Sequence, residues 1–67
     1  MAVLKVIEIM ASSEKSWEDA VNEAVKTASK TLKGIRSVYI KDQSAVVNDN
    51  KVVEYRVNCK VSFEVFI

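Results

Sequence analysis

The last third of the chain carries the plainest pattern. Val53, Tyr55, Val57, Cys59, Val61, Phe63, Val65 and Ile67 are apolar or aromatic, and Glu54, Arg56, Asn58, Lys60, Ser62 and Glu64 between them are polar. A period of two is the signature of a strand with one buried face. Phe66 alone breaks the alternation. Residues 2–10 also read as a strand, apolar and β-branched and broken only by Lys5 and Glu8. Here Leu4, Val6 and Met10 share one face and Val3, Ile7 and Ile9 the other, so both faces are expected to be covered. Residues 35–47 predict a further strand, with Val38 and Ile40 inward and Ser37, Tyr39 and Lys41 on the other face.

Between the first two strands the period changes. Trp17, Ala20, Val21, Ala24, Val25, Ala28 and Leu32 recur at helical spacing. Glu18, Asp19, Asn22, Glu23, Lys26, Lys30 and Lys33 fill the opposite side, acids early and lysines late, as the helix dipole favours. Ser16 with Asp19 resembles a capping box, and Ser13 is the rival cap. Gly34 is the natural stop. The predicted helix, 17–33, would be about 25 Å long, and its alanine stripe lets it lie close to a sheet. Asn48-Asp49-Asn50 is a turn, because Asn and Asp tolerate left-handed backbone. The expected fold is α+β: β-α-β-β, with one helix lying across an antiparallel sheet, the whole of 1–67 forming one domain.

Composition narrows the chemistry. A chain of 67 residues buries roughly 60% of the surface it exposes when unfolded. Small domains of this kind lean on disulfides, metals or association. One cysteine, Cys59, excludes an internal disulfide, and the absence of histidine excludes a Cys/His zinc site. Association with further copies remains. A net charge of +1 with scattered signs is unlike a nucleic-acid binder. No stretch approaches the roughly 18 apolar residues of a membrane span, and the N-terminus lacks the pattern of a signal peptide. A cytoplasmic location is the default expectation.

No catalytic residue is expected. Nucleophilic catalysis of the Ser-His or Cys-His kind lacks its base. Cys59 falls on the apolar face of the final strand and reads as a small buried hydrophobe. The acids near the helix start read as a solvated face. Asn48, Asp49 and Asn50 carry oxygens that suit a hard cation, but a turn with no ligand is the favoured reading. Trp17 reads as core or staple. Strand parity places Ser37, Tyr39, Glu54 and Arg56 together, opposite the helix. Such a face suits either a flat ligand held by stacking and charge or a subunit contact, and composition favours the contact.

The whole chain resembles the dodecins. The resemblance rests on Lys5-Val6-Ile7-Glu8-Ile9, Ser12-Ser13-Glu14, Ser16-Trp17-Glu18-Asp19-Ala20, Lys41-Asp42-Gln43, Tyr55-Arg56-Val57 and Val61-Ser62-Phe63-Glu64-Val65, in the right order. It implies a three-stranded antiparallel sheet wrapped around one helix. It also implies twelve identical subunits in a hollow shell, with flavin (FMN or riboflavin) bound and stored where subunits meet. In flavin-binding dodecins a tryptophan early in the second strand stacks on the ring, and a glutamine in the third strand bonds its polar edge. Those positions fall here on Ser37 and Arg56, and Ala11 stands where glycine is common. The altered pocket is expected near Ser37, Tyr39, Gln43 and Arg56. The Ser-Trp and Tyr-Arg pairs look closer to a divergent branch that includes calcium dodecins, so calcium is the alternative ligand. An assembly protein without a small ligand is the other alternative.

Overall fold

A computed structural model describes residues 3–65. The expected strand start at Ala2 and the end of the alternation at Phe66 and Ile67 lie outside the described residues. In chain order the elements are β1 (Leu4–Ser13), α1 (Trp17–Ala28), β2 (Ile35–Asn48) and β3 (Lys51–Glu64). They form one three-stranded antiparallel sheet in the order β1-β3-β2, with the helix on one face. This is the β-α-β-β architecture the periodicities predict.

The most regular strand takes the centre. β3 is paired on both sides, so alternate residues along its middle turn to the helix side of the sheet. Val57, Cys59 and Val61 do so and are inaccessible to solvent. Ala20 and Ala24 pack against Val57 and Cys59, with Ile9, Ala11, Val21 and Val38 around them. Alanine on the helix and valine or cysteine on the strand bring backbones close, but they give a core of small side chains.

β1 runs three residues further than its apolar run suggests. Ala11, Ser12 and Ser13 stay in register with Val57, Arg56 and Tyr55, so the central strand holds a polar segment extended. Only one face of β1 is covered. Leu4, Val6 and Met10 lie on the outer face, where Val6 is 56% and Met10 64% exposed. The expectation of two covered faces fails within one chain, because α1 lies on the other side.

Ser16 caps the helix: its Oγ accepts from the Asp19 backbone N–H at 3.0 Å. The rival Ser13 donates instead to the Asp19 carboxylate at 2.6 Å, so the reciprocal half of the capping box is diverted. The helix stops at Ala28, well short of 33. Ser29 ends it; its hydroxyl donates to the Lys26 carbonyl, and Lys30 and Thr31 make tighter bonds to Thr27 and Ala28. A run of Ser and Thr competes for backbone partners, and α-helix gives way to turn before Gly34. Gly34 itself has φ 73°, the left-handed conformation a glycine takes at no steric cost. Asp49 (φ 54°) and Asn50 (φ 63°) form a two-residue turn of the type that matches strand twist.

The molecule measures 50 × 20 × 13 Å. A 12-residue helix spans only about 18 Å, whereas 14-residue strands span about 46 Å. The β2–β3 hairpin therefore outreaches the helix beyond Ala45 and Tyr55. No helix of the described residues is long and apolar enough to cross a membrane.

Candidate functional site

The outer face of the sheet is built from alternate residues of three strands. Register sets the rows. Ser37 lies opposite Ser62, Tyr39 opposite Lys60, and Arg56 between Ser12 on β1 and Ser44 on β2. The Ser37 and Ser62 hydroxyls bond each other. Tyr39 is 65% exposed. Arg56 Nε donates to Glu54 Oε1 at 3.3 Å, which leaves the outer guanidinium nitrogens of a half-exposed side chain turned to solvent. Glu8 and Lys41 bridge the same face at 3.5 Å, and Arg36 pairs with Glu64 near its end.

Three of the four predicted residues therefore share a face, but not a pocket. Ser37 faces Ser62, six residues along β3 from Arg56, a separation of about 20 Å. A flat ligand on the Ser37 position and one on Arg56 would be different molecules, unless copies of the chain bring the two ends together. Gln43 is on the other side altogether. A β-bulge between Ile40 and Asp42 inserts Lys41 as an extra residue, and parity reverses beyond it. Gln43 thus pairs with buried Val57 and faces the helix side. There it borders a recess of about 260 Å³ with Trp17, Glu18, Val21, Asn22 and Ile40.

Trp17 is held more tightly than a staple requires. Its indole N–H donates to the Ser44 carbonyl at 2.8 Å, and its ring meets Tyr55 edge-to-face at 4.9 Å between centroids. The signal for this was available in kind: a half-buried indole N–H needs an acceptor. A larger groove of about 700 Å³ lies between α1 and β1, walled by Ile7, Ile9, Ala11, Ala24, Ala28 and Leu32. Nothing in the alternation of residues announced it; it opens because the small residues of the helix stripe leave the edge strand partly uncovered.

Chemically the outer face offers hydroxyls, the Tyr39 phenol and the paired charges of Glu8–Lys41, Glu54–Arg56 and, near its end, Arg36–Glu64. Ser37 presents a hydroxyl already bonded to Ser62, and Tyr39 presents an exposed aromatic ring. No group of three or more His, Cys, Asp or Glu among the described residues is close enough to hold a metal ion. Asp49 and Asn50 serve the hairpin turn. Burial pushes the Cys59 thiol up from its ordinary value, the opposite of what a reactive cysteine needs.

The fold and site define a β-α-β-β chain whose outer sheet face, part polar and part apolar, is left open by α1. Residues 3–65 match the family model described as Dodecin, and the chain belongs to the dodecin family. A curated relative, the calcium dodecin of Mycobacterium tuberculosis, is 38% identical over 64 residues, covering 96% of this chain and 90% of the relative. The solved structure of the M. tuberculosis calcium dodecin, described as having a novel calcium-binding site, superposes with a TM-score of 0.84 at 35% identity, covering 97% and 93% of the two chains. A point mutant of the Thermus thermophilus dodecin superposes with a TM-score of 0.94 at 28% identity, covering both chains fully.

Proposed function

We propose that the chain is a non-catalytic, small-ligand-binding and storage protein, one domain over residues 1–67, that assembles as a homododecameric shell in the cytoplasm, with a flavin site altered at the stacking position. The observation that carries this reading is the open outer face of a dodecin subunit. Ser37, Tyr39 and Arg56 share it without sharing a pocket, and Leu4, Val6 and Met10 leave apolar surface on it. Such a face is completed by further copies. Exposed apolar side chains on one sheet face favour association, since each covered side chain contributes on the order of 1 kcal/mol or more.

The altered position sets the ligand preference. Replacing an aromatic platform by Ser37 removes a stacking contribution on the order of 1 kcal/mol. Arg56, in place of a neutral amide, favours a ligand with an anionic edge or arm, because its outer nitrogens are free to donate. FMN is accordingly expected to bind better than riboflavin, and both weakly. Titration of the purified protein with riboflavin and FMN, followed by quenching of flavin fluorescence, tests this. Ser37→Trp should tighten flavin binding at least about fivefold, the equivalent of 1 kcal/mol. Unchanged affinity in that variant would remove flavin from the account.

Calcium is the second reading, favoured by the calcium dodecin relative. The described residues of one chain do not form a carboxylate cage. Calcium would need backbone, amide or hydroxyl oxygens, or ligands from more than one copy. Calorimetric titration with calcium separates the readings, and a flat titration removes this one.

A further inference from the structure

We propose that the valine-bearing end of the hairpin, residues 46–54, seats in the groove between α1 and β1 of a neighbouring copy, joining copies head to tail. The inference rests on the homo-oligomer reading and names the surfaces that meet.

The arm is the stretch of the described hairpin that extends past the helix. It begins where the helix ends its reach, at the level of Trp17, Ser44 and Tyr55. Beyond that level Val47 is 63% exposed, and Val52 and Val53 are exposed as well. A two-stranded ribbon with valines bared is stable in water only marginally and invites pairing. The tight turn at Asp49 and Asn50 keeps it a stiff projection rather than a loose loop.

The groove is the matching concavity. Its walls are Ile7, Ile9, Ala11, Ala24, Ala28 and Leu32, and at about 700 Å³ it has room for several valine side chains. Its lining includes Glu23 on the helix and Lys30 in the turn just past the helix end. The arm's tip carries Asp49 and Lys51 beside the turn. The proposed contact sets Lys51 against Glu23 and Asp49 against Lys30, two opposite-charge pairs at the edge of an apolar contact. The arm points away from its own helix, so it reaches only another copy's groove. Two different surfaces of one chain then meet, which is a heterologous contact, and heterologous contacts close into rings when the rotation allows.

Charge reversal tests the contact directly. Glu23 and Lys51 are both exposed in the single chain, so Glu23→Lys and Lys51→Glu should fold, checked by circular dichroism and Trp17 emission. Each single reversal should raise the protein concentration at half-dissociation about tenfold or more, since like charges placed together disfavour association. The double variant Glu23→Lys/Lys51→Glu should return to within about threefold of the original, because the pair is restored with its signs exchanged. Val47→Asp should dissociate the assembly while leaving a folded chain. Single reversals without effect, or a double variant as weak as the two defects combined, would overturn the arm-in-groove contact while leaving the oligomer reading intact. An unmodified protein that is monomeric would overturn both.

Discussion

Val6 and Val61 sit almost side by side in the sheet yet face opposite ways, and one pair of substitutions turns that difference into a measurement. Val61 is on the inner face of the sheet and fully buried, whereas Val6 is on the outer face and 56% exposed in the single chain. Thr in place of Val keeps shape and β-branching, so strand preference barely changes. What changes is one hydroxyl. At Val61 that hydroxyl would enter a site walled by apolar side chains, and burying it costs about 1–3 kcal/mol. At Val6 the cost in an isolated chain is within about 0.5 kcal/mol, as for ordinary surface substitutions. If copies cover the outer face, Val6→Thr costs about 1 kcal/mol or more in every copy, and its effect grows as the protein is diluted toward dissociation. The assay is urea unfolding followed by Trp17 emission, run at two protein concentrations tenfold apart. Trp17 is the single tryptophan and bridges helix and β2, so its signal reports loss of the fold. An effect at Val61 below about 0.5 kcal/mol would refute the burial reasoning. A Val6→Thr protein indistinguishable from the original at both concentrations would refute the covered outer face.

Three further outcomes follow from local structure. Ser16→Ala removes the helix cap and should lower stability by about 1 kcal/mol, read as a shift in the urea midpoint with unchanged slope. Gly34→Ala forces a side chain into the left-handed region and should cost about 1–2 kcal/mol by the same measurement. Burial raises the Cys59 thiol, so the native state holds its proton at a pH where the unfolded chain releases it. Stability is therefore full below the ordinary thiol value of about 8.5 and falls as pH rises above it toward the raised native value. Urea midpoints at pH 7 and 9.5 should show this fall, and Cys59→Ala should flatten it.

The parts of the fold legible in the sequence are those in which one local rule decides. The alternation of the final strand needs a one-sided strand, and β3 buries Val57, Cys59 and Val61 on one face, whereas Val53 and Val65 at the ends of the pattern stay exposed. Ser16, Gly34 and Asp49-Asn50 each have a conformation their residue type favours, and each adopts it. What was not legible depends on partners distant in the chain. Ala11 to Ser13 continue β1 because β3 is there to pair with them. The helix ends at Ala28 because Ser29 and its neighbours find competing bonds, although Leu32 keeps the helical spacing.

The candidate site shows the same division. Ser37, Tyr39 and Arg56 fall on the face their parity assigns. Gln43 does not, because the bulge at Lys41 reverses parity and Ile40-Lys41-Asp42 contains no glycine to announce it. A period of two is reliable only between bulges. The 20 Å between the Ser37 and Arg56 rows was equally hidden, since it follows from register, which no single strand contains.

The proposed function requires this chain to work as part of a closed assembly of itself. The most direct test is the mass of the intact particle, measured by native mass spectrometry and by light scattering at micromolar concentration. Twelve copies of a 7.5 kDa chain give about 90 kDa, and that is the mass the account predicts. A stable particle of 7.5 kDa would contradict it.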